Sequence, residues 1–402
     1  MNKFLKLFLC SWLLLVPCFF VQAADFGLII DQNVGVGGVG SENDFDYAGA
    51  IIPRLSGLIG DVGDFYISAS VEVDYLKKWS WVPELLRTDV YLRSGNLGFR
   101  IGRMYYSDPL GYVAEGLFDG VNLTFDTDFG TFNAGGWYTG LLYKNRAKIF
   151  MTAKDLESGL TPVDFDDFAD TYFASRRVVA GLGWEHLGMV GSVKGKVSFL
   201  GQFDLNDGKK LNSQYLVGKL TVPAGSFAFD VGACLELIQN DGDFGMAIAG
   251  DAGVSWVLPT SIRSKLSLLG RFASGGTDGD TILAFLPVST KTQGNILKPA
   301  LSGISMIDLD YIARLHETFS LGLSSSYFIR SDLGTYGGYP VLGTSSDGYF
   351  LGNEFFLRLL WVPVSDFQFN LGGGMFLPAL GNVASSADPL WRVELNVIIS
   401  LF

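Results

Sequence analysis

From Trp391 to its end the chain alternates. Trp391, Val393, Leu395, Val397, Ile399 and Leu401 form a wholly apolar set; Arg392, Glu394, Asn396, Ile398, Ser400 and Phe402 form a mostly polar one. Period two with one apolar face predicts a strand that is dry on one side and wet on the other. About 18 such segments of roughly 10 to 14 residues can be traced, the length a tilted membrane-crossing strand requires. They fall at 26–38, 47–58, 64–76, 81–93, 97–106, 117–126, 131–142, 173–187, 193–205, 211–222, 226–238, 244–257, 263–273, 302–314, 318–330, 348–362, 366–377 and 390–402. In 263–273, Leu266, Leu268 and Phe272 oppose Arg263, Lys265 and Arg271. In 348–362, Phe355, Leu357, Leu359 and Trp361 oppose Glu354 and Arg358.

The connections alternate too. After even segments they are short, as at Gly95-Asn96, Phe129-Gly130 and Ala224-Gly225. After odd segments several are long: 107–116, 143–172, 274–301, 331–347 and 378–389. Short turns at one end and long loops at the other are the asymmetry of a transmembrane antiparallel β-barrel, and a soluble sandwich gives no reason for it. Trp184, Trp256 and Trp361 close even segments, whereas Trp79, Trp81 and Trp391 lie at the opposite ends, as two interfacial girdles would. The expected fold is all-β, an up-and-down barrel of about 18 strands.

Composition agrees. Gly is 51 of 402 residues, aromatics are 14% and charged residues only 17%. Lys3 and Lys6 precede the apolar run 7–21, and Val21-Gln-Ala23 suits a cleavage site, so residues 1–23 read as a signal peptide and 24–402 as the barrel. Removing Lys3 and Lys6 from the 29 basic residues leaves 27 against 41 acids, a net of −14, which disfavours nucleic acid as a partner. With Cys10 and Cys18 in the signal, Cys234 stands alone.

The C-terminal strand resembles the closing strand of bacterial outer-membrane barrels, whose terminal aromatic residue is read by the barrel-assembly machinery, although its apolar set is one residue out of phase with Phe402. Two stretches resemble the alginate-export family of outer-membrane porins. One is Arg100-Ile-Gly-Arg103 with Phe118-Asp-Gly-Val121. The other is Gly352-Asn-Glu354 with Phe367-Gln-Phe-Asn-Leu-Gly-Gly-Gly-Met-Phe376. They cover about a fifth of the chain. The resemblance implies outer-membrane lipid around a large barrel that passes an acidic sugar through a basic pore.

A charge at the bilayer midplane costs about 2–4 kcal/mol, so charged positions must point inward. That assigns Arg87, Arg93, Arg100, Arg177, Lys194, Lys196, Lys219, Arg263, Lys265, Arg271, Arg314, Arg330, Arg358 and Arg392 to the lumen. Inward acids include Glu72, Asp74, Asp89, Glu185, Asp204, Asp230, Glu236, Asp251, Asp308, Asp310, Glu354 and Glu394. Near balance predicts that most pairs brace the wall. Arg177, Lys194, Lys196 and Lys219 come from neighbouring strands and are expected to form a basic ladder. The interior is expected to be polar and wet, with no N-terminal plug. Segment 143–172, basic first (Lys144, Arg146, Lys148, Lys154) and then acidic (Asp164, Asp166, Asp167, Asp170), is either a constriction folded into the pore or a solvated outer loop.

Catalysis finds little support. His186 and His316 are the only histidines, both near short turns, without a serine-and-acid arrangement beside them. No Cys/His metal set is available, and the acids at 164–170 lack the spacing and central Gly of a calcium loop, so no cofactor is expected. The expected work is diffusion of small hydrophilic solutes, with some preference for acidic sugars. The alternative is a surface barrel whose loops 143–172 or 274–301 bind external partners over an occluded lumen. A transporter of lipid or hydrophobic compounds would need an apolar lumen and a lateral opening.

Overall fold

The computed structural model describes residues 21–75, 78–279, 281–333 and 348–401. Eighteen antiparallel strands form one closed sheet. In chain order they are β1 (Val21–Val39), β2 (Asp44–Ile59), β3 (Gly63–Tyr75), β4 (Trp79–Ser94), β5 (Leu97–Ser107), β6 (Glu115–Thr127), β7 (Gly130–Tyr138), β8 (Arg177–His186), β9 (Lys194–Asp204), β10 (Leu211–Ala224), β11 (Phe227–Asn240), β12 (Asp243–Val257), β13 (Ser264–Ala273), β14 (Ile304–His316), β15 (Phe319–Arg330), β16 (Phe350–Val364), β17 (Phe367–Leu377) and β18 (Leu390–Leu401). Each pairs with its sequence neighbour, and β1 closes the ring on β18 from Leu28 opposite Leu401 to Val39 opposite Leu390. Closure leaves no open edge, so every spanning strand has two partners, as a hydrocarbon surrounding demands.

All eighteen expected strands exist. Boundaries shift at the first strand, expected from 26 but beginning at Val21, and beside the longest loop: 131–142 stops at Tyr138, and 173–187 begins only at Arg177. Apolar residues there continue the barrel pattern but pack inside it. Residues 1–20 of the expected signal peptide 1–23, most of the loop 331–347 and Phe402 lie outside the described residues, while residues 21–23 begin β1.

The outer wall is apolar. Leu182, Val231, Leu268, Phe355, Val393 and Leu395 are exposed on it, at positions alternating with polar inward ones. An exposed apolar surface that encircles the molecule requires lipid, and the barrel is a transmembrane one. Aromatic residues mark both ends of this wall. Trp256 stacks on Phe227 and Trp361 on Phe369 at the short-turn end, with centroids 5.6 and 5.2 Å apart. At the long-loop end Trp79 packs against Tyr47 and Tyr75 at 5.7 and 5.1 Å.

The interior departs from the wet expectation. Three loops, 108–114, 139–176 and 274–303, fold into the barrel and build an apolar core with its inner wall. Leu110, Tyr112, Val113, Leu142, Ile149, Met151, Phe285, Leu286 and Val288 from the loops join Tyr215, Val217, Ile238, Phe328 and Phe376 from the strands. Apolar loop residues outnumber what a solvated connection would carry, and burial against inward apolar wall positions is the only dry place open to them.

Candidate functional site

Loop 108–114 is organised by Asp108 at the end of β5. Its carboxylate accepts four backbone N–H bonds, from Leu110, Gly111, Val113 and Ala114, at 2.8–3.1 Å. Burial pushes this carboxyl above its ordinary range, against those four donors, which hold it down.

Loop 274–303 is held to the inner wall at two acids. The Leu286 N–H donates to Glu236 at 2.8 Å, while Tyr215 Oη donates to the Leu286 carbonyl at 2.6 Å. Glu354 receives the N–H groups of Asn295, Ile296 and Leu297 at 2.6, 2.9 and 3.0 Å. Gly352 prepares that acid: it sits at φ +138°, beside a break in strand register, where a Cβ would collide with the Leu377 carbonyl. Arg271 ties two loops together, donating to Gln293 Oε1 at 2.5 Å and lying 4.8 Å over the Tyr112 ring.

Loop 139–176 carries three short helices, α1 (Lys144–Ala147), α2 (Ala153–Leu160) and α3 (Phe168–Tyr172). A capping box opens α2: Thr152 Oγ1 receives the Asp155 N–H and Asp155 receives the Thr152 N–H. Asp155 then accepts from Arg177 at 2.8 Å. On α1, Arg146 pairs with Glu84 at 2.9 Å and with Glu72. Lys144 is buried and donates to the Thr161 carbonyl at 2.7 Å. Desolvation lowers its pKa. Segment 143–172 thus enters the lumen at its basic start, while its acidic part stays exposed.

A cavity of about 510 Å³ opens beside β18, β1, β2 and β3, lined by Asp31, Asn33, Glu72, Asp74 and Asn396 on the wall and by Tyr143, Asn145, Arg146 and Lys148 on the loop. Both signs of charge face this cavity.

Most of the predicted basic residues are engaged. Toward the long-loop end, Arg177 is fully buried between Asp155 and Asp204, Arg271 meets Asp251 at 3.5 Å, and Arg392 bridges Asp46 and Glu394 at 2.8 and 2.9 Å. Arg330 donates to the Leu333 carbonyl. Lower down, Arg87 and Arg100 share Asp89, Arg93 meets Asp126 and Lys196 meets Glu185. Arg314 donates to the Glu317 carbonyl, and Arg263 occupies a turn at φ +43°. Among the described residues Lys194, Lys219, Lys265 and Arg358 have no carboxylate ion-pair partner.

The expected four-residue ladder is corrected to three. Lys196 lies directly opposite Lys219, and Lys194 opposite Thr221, but Arg177 pairs with Asp204 at the other end of the same strands. Bracing describes half of the twelve inward acids: Glu72, Asp89, Glu185, Asp204, Asp251 and Glu394 each pair with a cation. Sequence reading missed that Glu236 and Glu354 hold loop backbone rather than cations. It also missed Arg103, whose guanidinium makes two 2.8 Å bonds to Asp119 and one to the Leu141 carbonyl. The only available signal was that Arg103 and Asp119 both lie in the quoted porin-like motifs, which pair across β5 and β6.

His186 accepts the Gly188 N–H and His316 sits by Thr318, each at a short turn. No cluster suited to a metal ion occurs among the described residues.

No protein-family description and no curated protein matches the sequence. Solved structures do match. Pseudomonas aeruginosa OprD shares 14% identity at TM-score 0.61, over 95% of this chain and 94% of that one. OccK5 (OpdH) of P. aeruginosa shares 11% at TM-score 0.60, over 95% and 99%. P. aeruginosa OccK2 (OpdF) in complex with glucuronate shares 12% at TM-score 0.61, over 95% and 97%. This chain therefore has the fold of the OprD and Occ outer-membrane proteins, a porin barrel but not specifically one of the alginate-export kind.

Proposed function

We propose that the protein is an outer-membrane channel through which small hydrophilic solutes diffuse, without energy source, cofactor or catalysis. The observation that carries this reading is the polar cavity between α1 and the β1–β3 and β18 wall, which we take as the solute passage. A passage lined by charged side chains selects by size and charge rather than passing solutes freely. Long loops face the exterior of the cell, short turns the periplasm. Residues 1–23 serve export, and the closing strand β18 serves insertion by the assembly machinery.

Acidic sugars are the solute class we favour. Lys194, Lys219, Lys265 and Arg358 lack ion-pair partners among the described residues, so their field reaches a passing anion. OccK2, similar in fold, is known in complex with glucuronate. The alginate-like motifs point the same way, although Arg103 and Asp119 in them brace β5 against β6. Liposome-swelling rates test the class. Glucuronate faster than glucose of like size supports it, and the reverse order contradicts it.

The apolar loop core favours one second reading, an occluded barrel whose loops bind an external partner. Swelling by any small sugar removes that reading.

A further inference from the structure

Loop 139–176 does not stay within the lumen. Phe165 stacks on Trp81 with centroids 4.7 Å apart and planes 22° from parallel. Trp81 belongs to the lipid-facing wall: its neighbours Val82 and Glu84 point inward and are buried, whereas Trp79, Trp81 and Leu85 are exposed. The segment after α2 therefore crosses the rim and adds an aromatic ring to the outer girdle. From Phe165 the rings continue inward. Phe168 lies 6.0 Å from Phe165 and 4.4 Å from Tyr172, and Tyr172 stacks on Tyr143 at 5.0 Å. Tyr172 Oη donates to the Pro83 carbonyl at 2.9 Å, fixing the row to β4. Tyr143 immediately precedes α1, which carries Arg146.

We propose that the Trp81–Phe165 pair is a docking surface for lipid of the outer leaflet, and that the row Phe165–Phe168–Tyr172–Tyr143 couples this anchor to the helix narrowing the passage. Continuity with the lipid-facing wall assigns the occupant. Phe165 and Trp81 are each about half exposed on a surface that lipid already covers, and aromatic rings are favoured at the headgroup boundary. Asp164 and Asp166 flank Phe165 and are exposed, so the segment presents an apolar side beside a polar one, as interfacial segments do. The inference rests on the membrane barrel and not on which solutes pass.

The test has two arms, both in the full-length barrel reconstituted in phosphatidylcholine vesicles or planar bilayers. In a Cys234→Ser background, a fluorophore at Asp166→Cys is compared with one at Asp207→Cys in the exposed loop 205–210. Brominated phospholipid should quench the first and spare the second, and aqueous iodide should do the opposite. Equal behaviour of the two sites overturns the docking surface. So does shielding at 166 that follows the protein-to-lipid ratio, which would assign the face to a second copy. In single-channel records Phe165→Ala should destabilise the open level, giving frequent substates, while Phe165→Trp should keep the wild-type trace. An unaltered Phe165→Ala trace overturns the coupling.

Discussion

Arg146 Nε donates to Glu84 at 2.9 Å across 62 residues of sequence, and its guanidinium also reaches Glu72. One side chain thereby fastens the lumenal helix α1 to two strands. Arg146→Ala should release α1 and leave the Glu84 carboxylate buried without this partner. We expect larger, noisier conductance and a stability loss of about 1–3 kcal/mol, near the low end because the guanidinium is partly exposed. Single-channel recording and thermal unfolding check both. A double-mutant cycle with Glu84→Gln should show a coupling of about 0.5–3 kcal/mol.

Glu354 accepts three consecutive loop N–H groups, and bonds to a charged acceptor are worth roughly 1.5–3 kcal/mol each. Glu354→Gln keeps the shape but loses the charge and one acceptor site. Amides of Asn295, Ile296 and Leu297 should exchange faster while those of β14 and β15 keep their protection. Unchanged exchange at the three amides would refute the clamp.

Asp108 gives loop 108–114 a pH dependence with a definite sign. Burial raises its carboxyl above the ordinary 3.8 in the folded protein. A raised folded pKa means the contribution is fully present below the unfolded value and is lost as pH rises through the folded one. Seating of the loop should therefore be firmest in acid and loosen as pH climbs past 3.8 through the raised value. Asp108→Asn should remove this dependence. Proteolysis of loop 108–114 across that range measures it.

The division between paired and unpaired cations predicts two unlike phenotypes. Lys219→Gln, at a lysine without a carboxylate partner among the described residues, should reduce anion preference, most visibly at low salt, since exposed charges are screened beyond about 10 Å at 0.1 M. Arg177→Gln should leave selectivity alone and instead destabilise the barrel, because Asp155 and Asp204 then lie buried without their cation. Reversal potentials and melting curves separate the two.

The barrel was legible because each strand repeats one binary pattern, and lipid on one side makes the pattern strict. Leu266, Leu268 and Phe272 against Lys265 and Arg271 leave no other arrangement. The filled interior was less legible. Phe285, Leu286 and Val288 sit in a connection without periodicity, and their burial depends on Glu236 and Tyr215, which are distant in sequence and sit on different strands. Alternation says which side of the wall a residue faces but not its height. That is why Arg177 was grouped with Lys194 and Lys196, although strand direction separates them. The charge order of segment 143–172 left insertion and solvation both open; the structure shows its basic start engaged in the lumen and its acidic part exposed.

Single-channel recording of the purified barrel in a planar bilayer under a salt gradient tests the central claim most directly. A polar passage beside β1–β3 predicts a discrete, steady conductance, and Lys194, Lys219, Lys265 and Arg358, without ion-pair partners among the described residues, put its reversal potential on the anion-selective side. A folded barrel that passes no current would contradict it.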